Sequence, residues 1–216
     1  MSQEFHAIAI DGPAASGKST VARRLAASLG LVMVNSGAMY RAVTWQILRE
    51  GVDPGNSADV IASLTEMEIV CGVEDGVSNI EINGRKLTDE LRSEAVNNNV
   101  SKVAAIPEVR ECLVAIQRAY RESSDVVMEG RDIGSVVFPD TPFKLYIDAS
   151  EEVRRKRRAK DGEADAVAAR DAQDSQRKTA PLLIADGAVV IDSSEMGIDE
   201  VVAAAREALK QLGWDD

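Results

Sequence analysis

Residues Gly12-Pro13-Ala14-Ala15-Ser16-Gly17-Lys18-Ser19 fit the pattern G-x-x-x-x-G-K-[ST], the spacing with which a chain cradles nucleotide phosphates. Glycines let successive backbone N–H groups turn toward one anion, and a helix N-terminus behind them adds partial positive charge. In such a loop Lys18 reaches the β- and γ-phosphates, the Ser19 hydroxyl holds Mg²⁺, and Thr20 completes the nucleotide-binding stretch. An ordinary glycine-rich turn would show the same glycines but has no need of the lysine and the hydroxyl together.

A second charged cluster, Glu129-Gly130-Arg131-Asp132, directly follows an apolar run. Arg131 suits bidentate capture of a phosphate. Asp132 can accept hydrogen bonds from a base or associate with Mg²⁺ through water, or simply cap a helix. Ser36, Tyr40 and Arg41 follow another apolar run; Ser36 reads as a helix N-cap, and Arg41 as a second phosphate ligand. Arg170, Asp174 and Arg177 recur at spacings of four and three, which places them on one helical face. A solvent-facing salt-bridge ladder has the same spacing. Upstream, Arg154-Arg155-Lys156-Arg157-Arg158 reads as a basic lip over a triphosphate, with Arg157 toward ATP; a solvated face or an RNA-binding tract are the alternatives. The polar, Ala-rich Asp161–Ala169 between them reads as a lid, which would exclude water from the donor.

The elements that must position these groups are legible as short apolar runs alternating with helical segments. Ala7–Ile10, Leu31–Val34, Val126–Met128, Lys144–Ile147 and Ala188–Ile191 read as five strands. Helices are expected over Ser19–Leu29, with Val21, Leu25 and Leu29 on one stripe, over Ala38–Glu50, and over Asp199–Leu212. That rhythm predicts a three-layer α/β fold, a five-stranded parallel sheet flanked by helices. Met67–Leu87 breaks it: Ile80-Glu81-Ile82 alternates and Asn83-Gly84 is a two-residue hairpin signal, followed by helical patterning over Thr88–Ala104. Residues 63–105 therefore read as an inserted antiparallel subdomain laid over one end of the sheet, within a core of 1–62 and 106–216 and with a lid at about 154–170. The whole chain of 216 residues reads as a single domain.

Composition narrows the function. A formal net charge of −11 argues against general nucleic-acid binding, which wants a broad basic surface. The two cysteines, Cys71 and Cys112, fit no metal-ligand spacing and read as buried reduced thiols of a cytosolic protein. No apolar run approaches transmembrane length and the N-terminus lacks a signal-peptide pattern, so a cytoplasmic protein without a membrane partner is expected. The one histidine, His6, reads as a strand residue, which argues against a histidine-based mechanism.

Taken in order, Ile8–Ser19, Asn35-Ser-Gly-Ala-Met-Tyr-Arg41, Glu129–Pro139 and Ala180-Pro-Leu182 resemble the bacterial cytidylate kinase family, over about residues 6–194. The resemblance implies ATP- and Mg²⁺-dependent phosphorylation of CMP and dCMP by a cytoplasmic monomer, with an inserted nucleoside-monophosphate-binding subdomain. It implies that Ser101, Arg110 and Asp132 read the cytosine. It also implies that Arg170 and Asp174 hold the sugar, and that Ser36, Arg41, Arg131 and Arg177 hold the acceptor phosphate. Lys18, Arg131, Asp132 and Arg177 are then the candidate catalytic residues. Two features depart from the family's usual pattern: a short segment before Arg170, and Glu129 where many members carry Asp. The rival readings are a phosphate-loop kinase for another acceptor, such as UMP, AMP or a sugar acid, and a nucleotide-binding switch. A GTPase switch would want an Asn-Lys-x-Asp sequence, which the chain lacks.

Overall fold

The computed structural model describes residues 5–160 and 182–215. Its strands are β1 (Ala7–Asp11), β2 (Val32–Asn35), β3 (Ile69–Glu74), β4 (Val77–Ile82), β5 (Arg85–Lys86), β6 (Val126–Gly130), β7 (Lys144–Asp148) and β8 (Val189–Asp192). The helices are α1 (Lys18–Leu29), α2 (Ser36–Arg49), α3 (Ser57–Thr65), α4 (Glu94–Val103), α5 (Pro107–Ala119), α6 (Glu151–Lys160) and α7 (Ile198–Gln211).

Five strands pair in parallel in the order β2-β6-β1-β7-β8, as the apolar runs predict. β1 and β6 are buried along their whole length, which is why they read as unbroken apolar runs rather than as alternation. Two apolar layers cover the sheet. One face packs Val21, Leu25 and Ala26 of α1 with Val201, Ala205 and Leu209 of α7. The other packs Met39, Val43 and Ile47 of α2 with Val109 and Leu113 of α5. The chain leaves β1 toward β2 on one side of it and passes from β6 to β7 on its other side, so the direction of the connections reverses at β1 and β6. Ligands of open α/β sheets bind outside the carboxyl ends of strands at such a reversal.

Residues 69–86 form antiparallel strands, but they do not lie over the end of the sheet. β4 pairs with β2 at Met33↔Val77, with Met33 N–H donating to Gly76 O at 2.8 Å, so the hairpin extends the sheet at its β2 edge. An open edge strand presents unpaired backbone groups, and β4 satisfies some of those of β2. Two tight turns build this ribbon. Asn83-Gly84, at φ 51° and 72°, is the turn the sequence predicts. Asp75-Gly76, at φ 52° and 73°, is a second turn of the same kind. The following helical stretch is split at Ser93 into a short 3₁₀ turn over Asp89–Arg92 and α4, which packs on α2.

Three smaller expectations need correction. Asn35, not Ser36, caps α2: its side chain accepts from Ala38 N–H at 3.1 Å, leaving Ser36 as the first helical residue. His6 precedes β1 and is exposed, edge-on to Phe143 and Trp214. Cys71 and Cys112 are half-buried rather than buried.

Candidate active site

β1 and β6 run side by side with Asp11 opposite Gly130, so the loops that leave them start as neighbours. The first loop is Gly12–Gly17. A Cβ on Gly12 would lie 2.1 Å from the Ile147 carbonyl oxygen, so only glycine lets the loop turn this close to β7. Pro13 and Ser16 belong to the buried base of the loop; the Pro13 carbonyl accepts from Lys18 Nζ at 3.0 Å. Ala14, Ala15, Gly17, Lys18, Ser19 and Thr20 line a cleft of about 840 Å³.

The second loop lines the same cleft with Gly130, Arg131 and Asp132. Arg131 Nη1 donates to the Gly12 carbonyl at 2.9 Å, tying the two loops together. Asp132 does not cap the turn that follows it; its carboxylate pairs with the Arg110 guanidinium from α5. Both are buried, at 5% and 4% exposure, and the guanidinium also lies 5.7 Å from the centre of the Tyr40 ring. A buried pair of this kind persists only when the surrounding polar groups are satisfied, and here Arg110 also donates to the Ala104 carbonyl at 3.4 Å.

Ser36, Tyr40, Arg41 and Ser101 line the same cleft. Ser36 Oγ donates to the Glu129 carbonyl at 2.7 Å, fixing the start of α2 against β6. Arg41 donates to the Leu91 carbonyl at 3.0 Å and to Asn97 Oδ1, which links α2 to the 3₁₀ turn and to α4. Thus residues from the phosphate loop, α2, α4, α5 and the loop after β6 converge on one space. Arg170, Asp174 and Arg177, together with lid residues 161–170, lie outside the described residues.

A family model for cytidylate kinase matches residues 8–211. The chain belongs to the cytidylate kinase family. A cytidylate kinase of Pseudomonas paraeruginosa is 41% identical over 221 residues, covering 96% of each chain. One of Clostridium botulinum is 42% identical over 206 residues, covering 90% of this chain and 93% of its own. Among solved structures, a gluconokinase of Sinorhizobium meliloti 1021 has a TM-score of 0.51 at 15% identity, covering 97% of this chain and 94% of its own. TT1252 of Thermus thermophilus has a TM-score of 0.51 at 19% identity, covering 99% of this chain and all of its own. These two bear out the expected fold. Family membership bears out the expected phosphotransferase activity and does not favour the rival acceptors or the switch.

The basic tract falls on α6, where it meets the phosphate loop. Arg154 donates to the Ala14 carbonyl at 3.2 Å, and Arg157 to the Ser16 carbonyl at 3.1 Å. Arg158 lines the main cleft. Arg157 instead borders a second, smaller cavity of about 290 Å³, walled by Gly17, Thr20, Ser193, Met196 and Ile198. Arg157 also donates to Ser193 Oγ and to the Ser193 carbonyl, at 3.0 and 2.8 Å. Ser193, Met196 and Ile198 at the smaller cavity, and Arg92 and Asn97 at the main cleft, carry no motif of their own in the sequence, while Arg158 stands out there only as part of the basic lip. Asn97 is recognisable only once α4 is seen to face Arg41.

Whether Mg²⁺ fits can be judged from the oxygen donors at the loop. The Ser19 hydroxyl donates to Glu129 Oε1 at 2.8 Å, so a hard oxygen ligand stands at the phosphate loop with a carboxylate behind it. Among the described residues no group of three or more His, Cys, Asp or Glu side chains forms a metal cage. A sparse set suits a cation that keeps waters and shares its shell with the nucleotide phosphates. Among the described residues no helix is long and apolar enough to cross a membrane.

Proposed function

We propose that the chain transfers the γ-phosphoryl group of ATP to an α-phosphate oxygen of CMP or dCMP by in-line displacement. The bond from γ-phosphorus to the bridging oxygen breaks, ADP departs with its electron pair, and a new phosphorus–oxygen bond forms on the nucleoside monophosphate. That acceptor oxygen is already ionised at neutral pH, so no general base is required. The position of His6 agrees, at the amino end of β1 and away from the loops at its carboxyl end. The chain's contribution is to position both nucleotides and to offset the charge that spreads over the transferred group.

In this reading the phosphate loop and Lys18 hold the β- and γ-phosphates, and Ser19, with Glu129 behind it, holds Mg²⁺. When bound, Mg²⁺ neutralises charge on the phosphates. Arg131, Arg41, Ser36 and Arg177 take the acceptor phosphate. Arg170 and Asp174 take its sugar. The cavity beside Arg157 accepts the adenine: Met196 and Ile198 offer an apolar wall, and a guanidinium stacks well on a planar base. The observation that carries the acceptor assignment is the buried Arg110–Asp132 pair at the cleft, which Ser101 also lines. Cytosine presents an amine donor and an N3 acceptor. Asp132 accepts from the first and Arg110 donates to the second. Uracil reverses both groups and would face like partners.

The inserted residues 63–105 then serve as the monophosphate-binding subdomain and 154–170 as the lid. The same reading makes the enzyme a cytoplasmic monomer, as the family resemblance implies. A coupled assay of ADP release across CMP, dCMP, UMP and AMP tests the proposal. CMP and dCMP are expected to be turned over well, UMP weakly and AMP scarcely; equal turnover of AMP or UMP would overturn it.

A further inference from the structure

The mechanism above leaves one buried acid without a task. Asp11 is the last residue of β1 and only 3% exposed. Its two carboxylate oxygens each accept a backbone hydrogen bond from the loop after β6: Oδ1 from Ile133 N–H at 2.8 Å and Oδ2 from Gly134 N–H at 2.8 Å. Those two amides directly follow Arg131 and Asp132. On the other side Asp11 continues into Gly12, whose carbonyl accepts from Arg131. One residue therefore closes a ring that runs from β1 through Gly12, Arg131 and Asp132 and back to Asp11.

We infer that Asp11 is a positioning residue for the acceptor nucleotide, holding the backbone after Asp132 so that Arg131 and Asp132 present to the cleft together. The inference rests on the assignment of those two residues to the acceptor. A single hydrogen bond would leave the peptide between Ile133 and Gly134 free to pivot. A carboxylate gripping two successive amides fixes both its position and its tilt. Buried amides need acceptors, and Asp11 supplies one oxygen to each of these two. Displacement of reacting groups by a fraction of an ångström to one ångström is enough to cost a large factor in rate.

Asp11→Asn tests this, because the amide matches the carboxylate in shape but offers one acceptor oxygen and turns an N–H₂ toward the second amide. The variant loses a charge that burial disfavours but leaves one buried amide facing an N–H₂ group, so a thermal melt accompanies the kinetics. The variant is compared with wild type by hydrogen exchange at the Ile133 and Gly134 amides and by kcat/KM for CMP and UMP. Faster exchange at those amides is expected. With it, kcat/KM for CMP falls about tenfold or more, the CMP-to-UMP ratio narrows, and the KM for ATP stays within about twofold. A lower melting temperature with unchanged kcat/KM and unchanged ratio would overturn the inference, as would an equal rise in the KM for ATP. If Asp11→Asn fails to fold, Asp11→Ser is read by the same criteria. If wild type itself uses UMP as well as CMP, the base assignment fails, and the exchange rates with the CMP kinetics still decide the role of Asp11.

Discussion

The Ser19 hydroxyl donates to Glu129 Oε1 at 2.8 Å, joining the phosphate loop to the carboxyl end of β6 across 110 residues of sequence. Glu129 is buried, so its carboxylate faces the loop rather than solvent. One methylene more than Asp brings the oxygen to Ser19 rather than short of it. For Glu129→Gln the Mg²⁺ concentration giving half-maximal rate is expected to rise about tenfold, the usual loss when a group behind a metal ligand is changed. The KM for CMP is expected to hold. A Mg²⁺ titration at saturating ATP and CMP reads this, and an unchanged midpoint would detach Glu129 from the metal.

Lys18 sits at the first position of α1 with its ammonium on the Pro13 carbonyl. Lys18→Ala removes that contact, worth about 1 kcal/mol in stability. It also removes a charge from the transferring phosphoryl group, for which a loss of about 10²–10³ in kcat is expected. Circular dichroism and a thermal melt alongside turnover separate the two. A folded variant with near wild-type turnover would contradict the role of the loop.

How much of this was legible without coordinates follows from range in sequence. The phosphate loop is local, and its glycines, lysine and hydroxyl stand within eight residues. The five parallel strands were legible because burial on both faces leaves unbroken apolar runs. Other features depend on partners far away in the chain. Asn35 and Ser36 are both good caps, and only the hydrogen bond from Ser36 to Glu129, 93 residues on, decides between them. The attachment of β4 to β2 rests on a single bridged pair. Asp11 ends an apolar run and shows its purpose only through amides 122 and 123 residues later. Part of the wall of the smaller cavity, Ser193, Met196 and Ile198, comes from residues after β8, which carry no phosphate-binding pattern of their own.

In the proposed reading Arg157 separates donor from acceptor function. It borders the smaller cavity and holds the Ser16 carbonyl and Ser193, touching none of the Arg110–Asp132 pair. For Arg157→Ala the KM for ATP is expected to rise about tenfold, with that for CMP little changed. Initial rates with each substrate varied in turn check this. A rise confined to CMP would place the donor base elsewhere.

The pH dependence of stability follows from Asp11. Burial pushes its carboxyl up from 3.8 to about 7, with the Asp132 charge adding to the rise, while the Gly134 and Ile133 amides and Lys18 oppose it. The folded chain thus binds this proton more tightly than the unfolded chain. The associated stability is fully present below about pH 4 and is lost as pH rises through about 7. Asp11→Asn carries no such proton. Between pH 5 and 8 its melting temperature is expected to gain on wild type; a pH-independent difference would show that the carboxyl is ionised throughout.

In the proposed reading Asp132, held by Arg110, selects cytosine. Asp132→Asn keeps the size and one acceptor oxygen but removes the charge that pairs with the buried guanidinium, so a melt must accompany the kinetics. The most direct measurement is kcat/KM for CMP and for UMP in wild type and in this variant. Wild type is expected to prefer CMP strongly, and the variant to lose at least about tenfold of that preference while its KM for ATP holds. A lower melting temperature with the CMP-to-UMP ratio unchanged would contradict the account and leave Asp132 a structural partner of Arg110.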